Sequence, residues 1–241
     1  MKDDFKLFGL SKSEFDERCV SAGISGFIAS ETGDILDLKV SYESDKRDEI
    51  YDLAIKSFLK VFGNRVYAYR EVSLKEQLFD LLKLNGCKIS TAESFTGGNV
   101  AATIISVPGA SGIFYEGIVA YDCDAKMKRL GVKSQTLAKY KAVSAEVARE
   151  MAEGLLKSGK CDIAVSTTGL AGPQSDDSGL PVGRCYIGVS YCGETEAFEY
   201  NFKGDRNTVI KSGVNAALFE VIKNIQREVC LLYTSDAADE R

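Results

Sequence analysis

Two periods of apolar residues divide the chain into a short and a long segment. Apolar and polar residues alternate over 36–42, which predicts a half-buried strand, whereas the apolar residues of 48–62 recur at helical spacing. The segment 65–69 predicts a second strand. We therefore expect residues 1–72 to form a small α/β domain, whose size lies near the lower limit for independent folding.

The longer segment, 73–228, alternates between strand and helix patterns. Ser73 and Glu76 have capping-box spacing ahead of a leucine-rich helix. Strands are predicted at 87–92, 113–120, 161–168, 184–191 and 197–202, and helices at 99–107, 124–130, 144–158 and 206–225. Such an alternation predicts a layered α/β/α domain. Residues 229–241 add no period, and we expect them to be disordered or non-native.

Net charge and the length of the apolar runs argue against two classes of protein. The chain of 241 residues has a net charge of −5, and a general nucleic-acid binder needs clustered Lys and Arg to neutralise phosphates. No apolar run approaches the roughly 18–20 residues that cross a bilayer. The N-terminus is acidic where a signal peptide would be basic and then apolar, so we expect a cytoplasmic protein without a membrane partner.

The cysteine and histidine content limits the available chemistry. Seven cysteines are scattered without a C-x-x-C pair, and the sequence contains no histidine. A zinc site is therefore not expected, and we predict neither a metal nor a cofactor. Any proton transfer has to use a base other than imidazole.

Two glycine-rich turns follow predicted buried strands. Both should lie at the carboxyl ends of strands, where open α/β sheets bind ligands, and glycine lets backbone amides approach a ligand. Each turn alone has a structural alternative, a tight connection into a helix, and it is their combination that favours a ligand site. The candidate substrate-binding residues are Glu93, Ser94, Thr96, Gly97, Gly98, Thr168, Gly169, Ala171, Gly172 and Arg206, the last at a helix start where it can pair with phosphate.

Ser111, Tyr121 and Lys126 form a candidate catalytic set. Ser111 lies in a Pro-Gly-Ala-Ser-Gly turn, Tyr121 ends a predicted strand and Lys126 opens the next helix. Serine with a lysine base is an alternative to serine with histidine, provided that burial or a nearby cation lowers the pKa of the lysine from about 10.4 towards 7. A turn serine, a core tyrosine and a surface lysine would give the same pattern, and spacing alone favours that structural alternative.

Seven motifs occur in a fixed order across residues 74–225. They read AESFTGG, VPGASGIFYEGIVAY, DAKMKRLGV, AVSAEVAREMAEG, TTGLAGP, PVG and GDR. This set resembles the C-terminal domain of the CinA family, the nicotinamide-nucleotide amidases. Residues 5–70 are similar to the small KH-like domain that precedes this module in full-length members. Their larger N-terminal molybdopterin-binding-like domain has no counterpart here, so we expect a short form or a fragment.

The resemblance implies hydrolysis of nicotinamide mononucleotide to nicotinic acid mononucleotide and ammonia, without a metal. It places the family's catalytic serine at Ser111, its tyrosine at Tyr121 and its lysine at Lys126. In the implied mechanism Lys126, directly or through Tyr121, takes the proton of Ser111, which attacks the carboxamide carbon. Arg206 or the helix start at Gly97–Gly98 would anchor the phosphate.

The chain departs from the family pattern at two places. Phe95 stands where the family usually has Cys, and Asp122-Cys123 replaces the usual Ser-Asn after the tyrosine. The second departure alters the charge near Lys126.

A non-catalytic CinA-like adaptor, or a nucleotide- or RNA-binding protein, is the alternative. Gly23-Ile-Ser-Gly26 matches the GXXG with which KH domains clamp a nucleic-acid backbone. Residues 1–70 carry 11 basic and 13 acidic side chains, which disfavours phosphate binding. We therefore expect a small-molecule nucleotide as the partner and no nucleic acid, and a homo-oligomer is left open.

Overall fold

The chain divides into two units, Met1–Gln77 and Leu78–Arg241. The computed structural model describes residues 1–157, 160–175 and 179–239, with side chains as far as residue 228. The predicted domain limits of 1–72, 73–228 and 229–241 stay a prediction.

The first unit is a four-stranded antiparallel sheet with two helices. Its elements are β1 (Lys2–Phe8), α1 (Lys12–Ala22), β2 (Phe27–Glu31), β3 (Asp37–Glu43), α2 (Glu49–Phe62) and β4 (Val66–Ala68). The strand order is β2-β3-β1-β4. Its core is rich in buried aromatic rings, among them Phe5, Phe15, Phe58 and Phe62.

Pattern alone predicted β3, α2 and β4 but missed β1, α1 and β2. Asp48 caps α2 by accepting a hydrogen bond from Tyr51 N at 3.0 Å, at the predicted helix start. By contrast, α1 buries only Phe15, so its sequence carries almost no helical period.

The Gly23–Gly26 segment connects α1 to β2. Gly23 adopts a left-handed conformation with φ of 66° and ends α1, and a Cβ on Gly26 would lie 2.9 Å from Tyr42 Cε2. Both glycines therefore have structural roles, and this geometry adds no support to the nucleic-acid alternative.

The second unit is built on a five-stranded mixed sheet. Its strands are β5 (Ile89–Glu93), β6 (Phe114–Val119), β7 (Ile163–Gly169), β8 (Arg184–Tyr191) and β9 (Glu194–Asn201), in the order β6-β5-β7-β8-β9. β5, β6 and β7 are parallel, while β8 and β9 continue the sheet antiparallel. The helices are α3 (Leu74–Leu84), which spans the division between the units, α4 (Asn99–Ile105), α5 (Cys123–Leu130), α6 (Ser134–Tyr140), α7 (Ala145–Leu156) and α8 (Arg206–Asp239).

Helices cover both faces of this sheet. α4 and α8 contact one face, and α7, with α5 and α6 packed against it, contacts the other. Side chains of β5 alternate accordingly: Ala92 belongs to the core with Val147 and Met151 of α7, whereas Glu93 bonds amides of α4. The predicted α/β class with α/β/α layering is confirmed.

Three local features can be compared with the predictions from the sequence. The predicted capping box at the start of α3 is present, since Ser73 N donates to Glu76 Oε2 at 3.0 Å and Glu76 N donates to Ser73 Oγ at 3.4 Å. α6 was not predicted. α8 continues through 229–239, the segment for which we expected a disordered or non-native tail, and that expectation stays a prediction.

Candidate active site

The loops that follow β5 and β6 lie at the carboxyl ends of these parallel strands, and we call the place between them the crevice. These strands are neighbours, yet the chain leaves β5 towards α4 on one face and β6 towards α5 on the other. Open α/β sheets bind ligands where neighbouring strands diverge in this way, beyond their carboxyl ends. Ser94 follows β5 and Tyr121 lies just beyond β6, so both border the crevice.

A serine and a lysine meet at this crevice. Lys126 Nζ lies 2.9 Å from Ser94 Oγ and 2.9 Å from the carbonyl oxygens of Ala120 and Tyr121. A neutral amine can donate its two hydrogens to the two carbonyls, which leaves its lone pair free to accept the Ser94 hydroxyl proton. The geometry therefore matches a serine nucleophile paired with a lysine base.

Burial prepares Lys126 for the role of base. Its side chain is 1% exposed, and this burial lowers the pKa of Lys126 because the ammonium form loses its hydration. Cys123 and Asp122 act in the opposite direction and raise that pKa. The position of Lys126 in the first turn of α5 also disfavours a positive charge. The surface-lysine alternative is therefore wrong.

The Glu93 carboxylate organises the first glycine turn. It is 1% exposed and accepts hydrogen bonds from the N–H groups of Gly98, Val100 and Ala101 at 2.9, 3.0 and 2.8 Å. Thr96 Oγ1 also donates to it, at 2.7 Å. Glu93 thus caps α4, and this geometry does not support its predicted contact with substrate.

The start of α4 is already neutralised. The N–H groups of Gly97 and Asn99 donate to the carbonyls of Ser94 and Thr96, each at 3.1 Å, and the amides of Gly98 and its successors are held by the Glu93 carboxylate. A phosphate here would find these amides occupied and a negative charge beside it. The arrangement argues against the predicted phosphate anchor at Gly97–Gly98.

Thr167, which the sequence analysis did not single out, supports the turn from β7. Its carbonyl oxygen accepts from Ser94 N at 3.0 Å, and its Oγ1 lies 2.7 Å from Thr96 Oγ1. Since Thr96 Oγ1 donates to Glu93, the Thr167 hydroxyl donates to Thr96. The sequence could have indicated this role, because side chains alternate along a strand and Thr167 therefore projects to the face opposite to that of Thr168.

Two buried residues, Phe95 and Thr96, directly follow Ser94. Within the part of the chain that the structure describes, the N–H groups of Phe95 and Thr96 have no hydrogen-bond acceptor. Amides immediately after a nucleophile are common donors to an oxyanion.

The predicted residues at the beginning of the second glycine turn have structural roles. Thr168 Oγ1 donates to the carbonyl of Ala142 at 2.7 Å. A Cβ on Gly169 would lie 2.4 Å from Cys185 Cβ, so the pairing of β7 with β8 requires glycine there. Ala171 is buried.

Arg206 joins the second glycine turn to Tyr121. Its Nη1 donates to the Gly172 carbonyl at 2.7 Å, and its Nη2 lies 3.5 Å from the Tyr121 hydroxyl. The Tyr121 side chain is 62% exposed, so the core-tyrosine alternative is wrong as well. The structure thus brings together three predicted residues, Tyr121, Gly172 and Arg206, and leaves an exposed guanidinium among them.

Ser111 lies at the other end of β6. It sits in a 3₁₀ turn, Ala110–Gly112, that precedes this strand, whereas Tyr121 lies beyond its end. A strand of six residues spans about 20 Å, which is far beyond hydrogen-bonding reach. The expected Ser111–Lys126 pair is therefore not formed, and Ser94, predicted only as a substrate-binding residue, takes that place.

A comparison with models of protein families shows the family to which this chain belongs. The model of the CinA C-terminal domain matches residues 71–225. The chain belongs to the CinA family. Members of the family with related sequences include a Caldicellulosiruptor saccharolyticus protein named for competence-damage induction, 36% identical over 232 residues, which are 91% of this chain and 55% of that protein. A CinA-like protein of Kosmotoga olearia is 47% identical over 154 residues, 64% of this chain and 37% of that protein.

The chain spans about half the length, or less, of these CinA relatives. Among solved structures, a CinA superfamily protein of Klebsiella pneumoniae superimposes with a TM-score of 0.62 at 30% identity, covering 64% of this chain and 96% of that one. An Escherichia coli member gives 0.61 at 32% identity, covering 62% and 87%. The α/β fold is therefore that of the CinA superfamily.

Residues 1–157, 160–175 and 179–239 contain neither a membrane-spanning helix nor a metal-binding cluster. None of the helices described there combines the length and apolar character needed to cross a bilayer. No group of three or more cysteine or carboxylate side chains in these ranges is placed to hold a metal ion.

Proposed function

We propose that the chain hydrolyses the carboxamide of nicotinamide mononucleotide to the carboxylate with release of ammonia. Ser94 is the nucleophile and Lys126 the base. The observation that carries this proposal is the 2.9 Å contact between Ser94 Oγ and the Nζ of a lysine that is 1% exposed. The identity of the substrate rests on the resemblance to nicotinamide-nucleotide amidases.

The first half-reaction forms an acyl-enzyme. Lys126 Nζ accepts the hydroxyl proton of Ser94 as Oγ attacks the carboxamide carbon. The resulting oxyanion accepts a hydrogen bond from the backbone N–H of Phe95, a contribution worth about 10²–10³ in rate in comparable sites. Lys126 then returns its proton to the leaving nitrogen, the C–N bond breaks, and ammonia departs.

The second half-reaction regenerates the serine. Neutral Lys126 takes a proton from a water molecule, whose oxygen attacks the acyl carbon. Collapse of the second tetrahedral intermediate breaks the bond to Ser94 Oγ, which recovers a proton from Lys126. The product is the carboxylic acid of the nucleotide.

Arg206 is our candidate phosphate anchor. Its guanidinium is exposed at the crevice, it bonds Gly172 through Nη1 only, and a guanidinium can bind phosphate with two parallel hydrogen bonds. Tyr121 supports this role: its hydroxyl lies 3.5 Å from Arg206 while its carbonyl holds Lys126. We assign Tyr121 to positioning rather than to proton transfer.

The proposal is tested by ammonia release from nicotinamide mononucleotide, with the nucleotide product identified by mass spectrometry. We expect one ammonia and one nicotinic acid mononucleotide per turnover. A chain that releases no ammonia across pH 6–10 would instead agree with the non-catalytic adaptor alternative.

A further inference from the structure

The ring of Phe95, the residue after the proposed nucleophile, packs against a glycine in α8. Phe95 is 4% exposed. A Cβ built on Gly213 would lie 2.3 Å from Phe95 Cζ and 2.7 Å from Cε2. Carbon atoms do not approach this closely, so α8 accommodates the ring only because residue 213 has no side chain.

Glycine is otherwise unfavourable at this place. Gly213 lies inside α8, where glycine is less favourable than alanine because more backbone entropy is lost on folding. The bulky ring and the side-chain-free helix position therefore form a matched pair in this chain.

Gly213 and Arg206 lie on the same side of α8. They are seven residues apart, which is two helical turns. The surface that receives the Phe95 ring is thus continuous with the surface that presents the guanidinium towards Tyr121 and Gly172. A shift of the ring relative to α8 would change the separation between Ser94 and Arg206.

The ring of Phe95 projects from a turn whose backbone is held by hydrogen bonds. On one side, Ser94 N is held by the Thr167 carbonyl, and on the other, Thr96 Oγ1 is held by Glu93. The Phe95 N–H has no acceptor in the described part of the chain. The Ser94 carbonyl, which shares a peptide plane with the Phe95 N–H, accepts from Gly97 N at 3.1 Å, so the turn fixes the direction of this amide and the ring fixes how closely the turn approaches α8.

We propose that Phe95 is a positioning residue, whose ring against Gly213 sets the distance between the Ser94 turn and the end of α8 that carries Arg206. This inference rests on the proposed function, because it assigns Ser94 and Arg206 to the reacting amide and the phosphate. If so, kcat depends on the contact between Phe95 and Gly213. The effect of changing one of these residues then depends on which residue stands at the other position.

The test compares four proteins: the wild type, Gly213→Ala, Phe95→Cys and the double variant. We expect Gly213→Ala to lower kcat by at least about tenfold when Phe95 is present, since displacements near 1 Å at a reacting centre cost up to about 100-fold. In the Phe95→Cys background the same change should lower kcat by less than about twofold, because the methyl group then has space. Gly112→Ala, whose Cβ meets no atom within 4 Å, is the matched control.

A loss of kcat that is equal in both backgrounds, or an unchanged kcat in Gly213→Ala, overturns the proposal. A purely structural contact would change the melting temperature while leaving kcat of the folded protein unchanged. If Gly213→Ala does not fold, Phe95→Cys alone decides: the proposal expects kcat to fall by at least about fivefold, and an unchanged kcat contradicts it.

Two measurements separate the amidase proposal from the positioning role of Phe95. A wild-type protein that releases no ammonia contradicts the proposed function. The rate at which a fluorophosphonate probe labels Ser94 then provides the same four-protein comparison. Labelling that Gly213→Ala slows when Phe95 is present, but does not slow further in the Phe95→Cys background, supports the inference, and equal labelling of all four proteins contradicts it.

Discussion

Ser94 Oγ and Lys126 Nζ lie 2.9 Å apart although 32 residues separate them along the chain. The contact arises because β5 and β6 are parallel neighbours, and the segments after them turn to opposite faces of the sheet. The Ser94 backbone is held from β7, where the Thr167 carbonyl accepts from Ser94 N, and the Lys126 side chain is held by the carbonyls of Ala120 and Tyr121, which follow β6. The pair is therefore preorganised before a substrate binds.

Replacing the lysine tests the base. We expect Lys126→Met to lower kcat by about 10²–10⁴-fold, the usual contribution of a positioned general base. Lys128→Met, on the exposed side of the same helix, should leave kcat within about twofold of wild type. Steady-state ammonia release measures both, and similar losses in the two variants would contradict the assignment.

The charge of Asp122 should be visible in the pH–rate profile. Lys126 acts as a base only when neutral, so the rate rises as pH increases through its pKa. Asp122 raises that pKa, and Asp122→Asn, which keeps a residue able to cap α5, should move the acidic limb of the profile to lower pH. Asp124→Asn is the control. A shift to higher pH would show that Lys126 does not govern the limb.

We expect Glu93 to contribute to the stability of the fold. Glu93→Gln replaces a buried acceptor of three backbone N–H groups by a side chain that carries its own donors. We expect the free energy of unfolding to fall by about 2–4 kcal/mol. Exposed Glu194→Gln should change it by less than about 0.5 kcal/mol. Urea denaturation of both variants gives the comparison.

Phosphate recognition is assigned to Arg206. Arg206→Gln should raise KM for nicotinamide mononucleotide by about 10–100-fold with a smaller change in kcat, since a charge-assisted hydrogen bond contributes about 1.5–3 kcal/mol. The increase should disappear with nicotinamide riboside, which lacks the phosphate. Exposed Lys203→Gln should leave KM unchanged. An equal increase for both substrates would place the phosphate elsewhere.

Hydrophobic periodicity predicts a helix or strand well where that element has one buried face. The pattern of α2 and the capping residues of α3 are local signals, and both helices begin where they were expected. α1 has a single buried residue and α6 has none, so neither produces a pattern that can be recognised. α1 is instead closed by local caps, the Ser11–Glu14 capping box and Gly23 in the left-handed conformation, and hydrophobic periodicity does not detect such caps.

The candidate site was harder to predict for a geometric reason. Ser111, Tyr121 and Lys126 are close in sequence, but a strand between Ser111 and Tyr121 places them at opposite ends of the sheet. Ser94 reaches Lys126 only through the neighbour relation of β5 and β6, which sequence spacing does not reveal. Ser94 and Lys126 were both among the residues predicted from the sequence, whereas their pairing needed the sheet order.

We propose that Ser94, and not Ser111, attacks the amide. The most direct measurement is ammonia release from nicotinamide mononucleotide by Ser94→Ala and Ser111→Ala at a pH where the wild type is fully active. We predict that Ser94→Ala lowers kcat by at least about 10³-fold while Ser111→Ala stays within about twofold of wild type. The opposite result, full activity in Ser94→Ala and its loss in Ser111→Ala, would contradict the account.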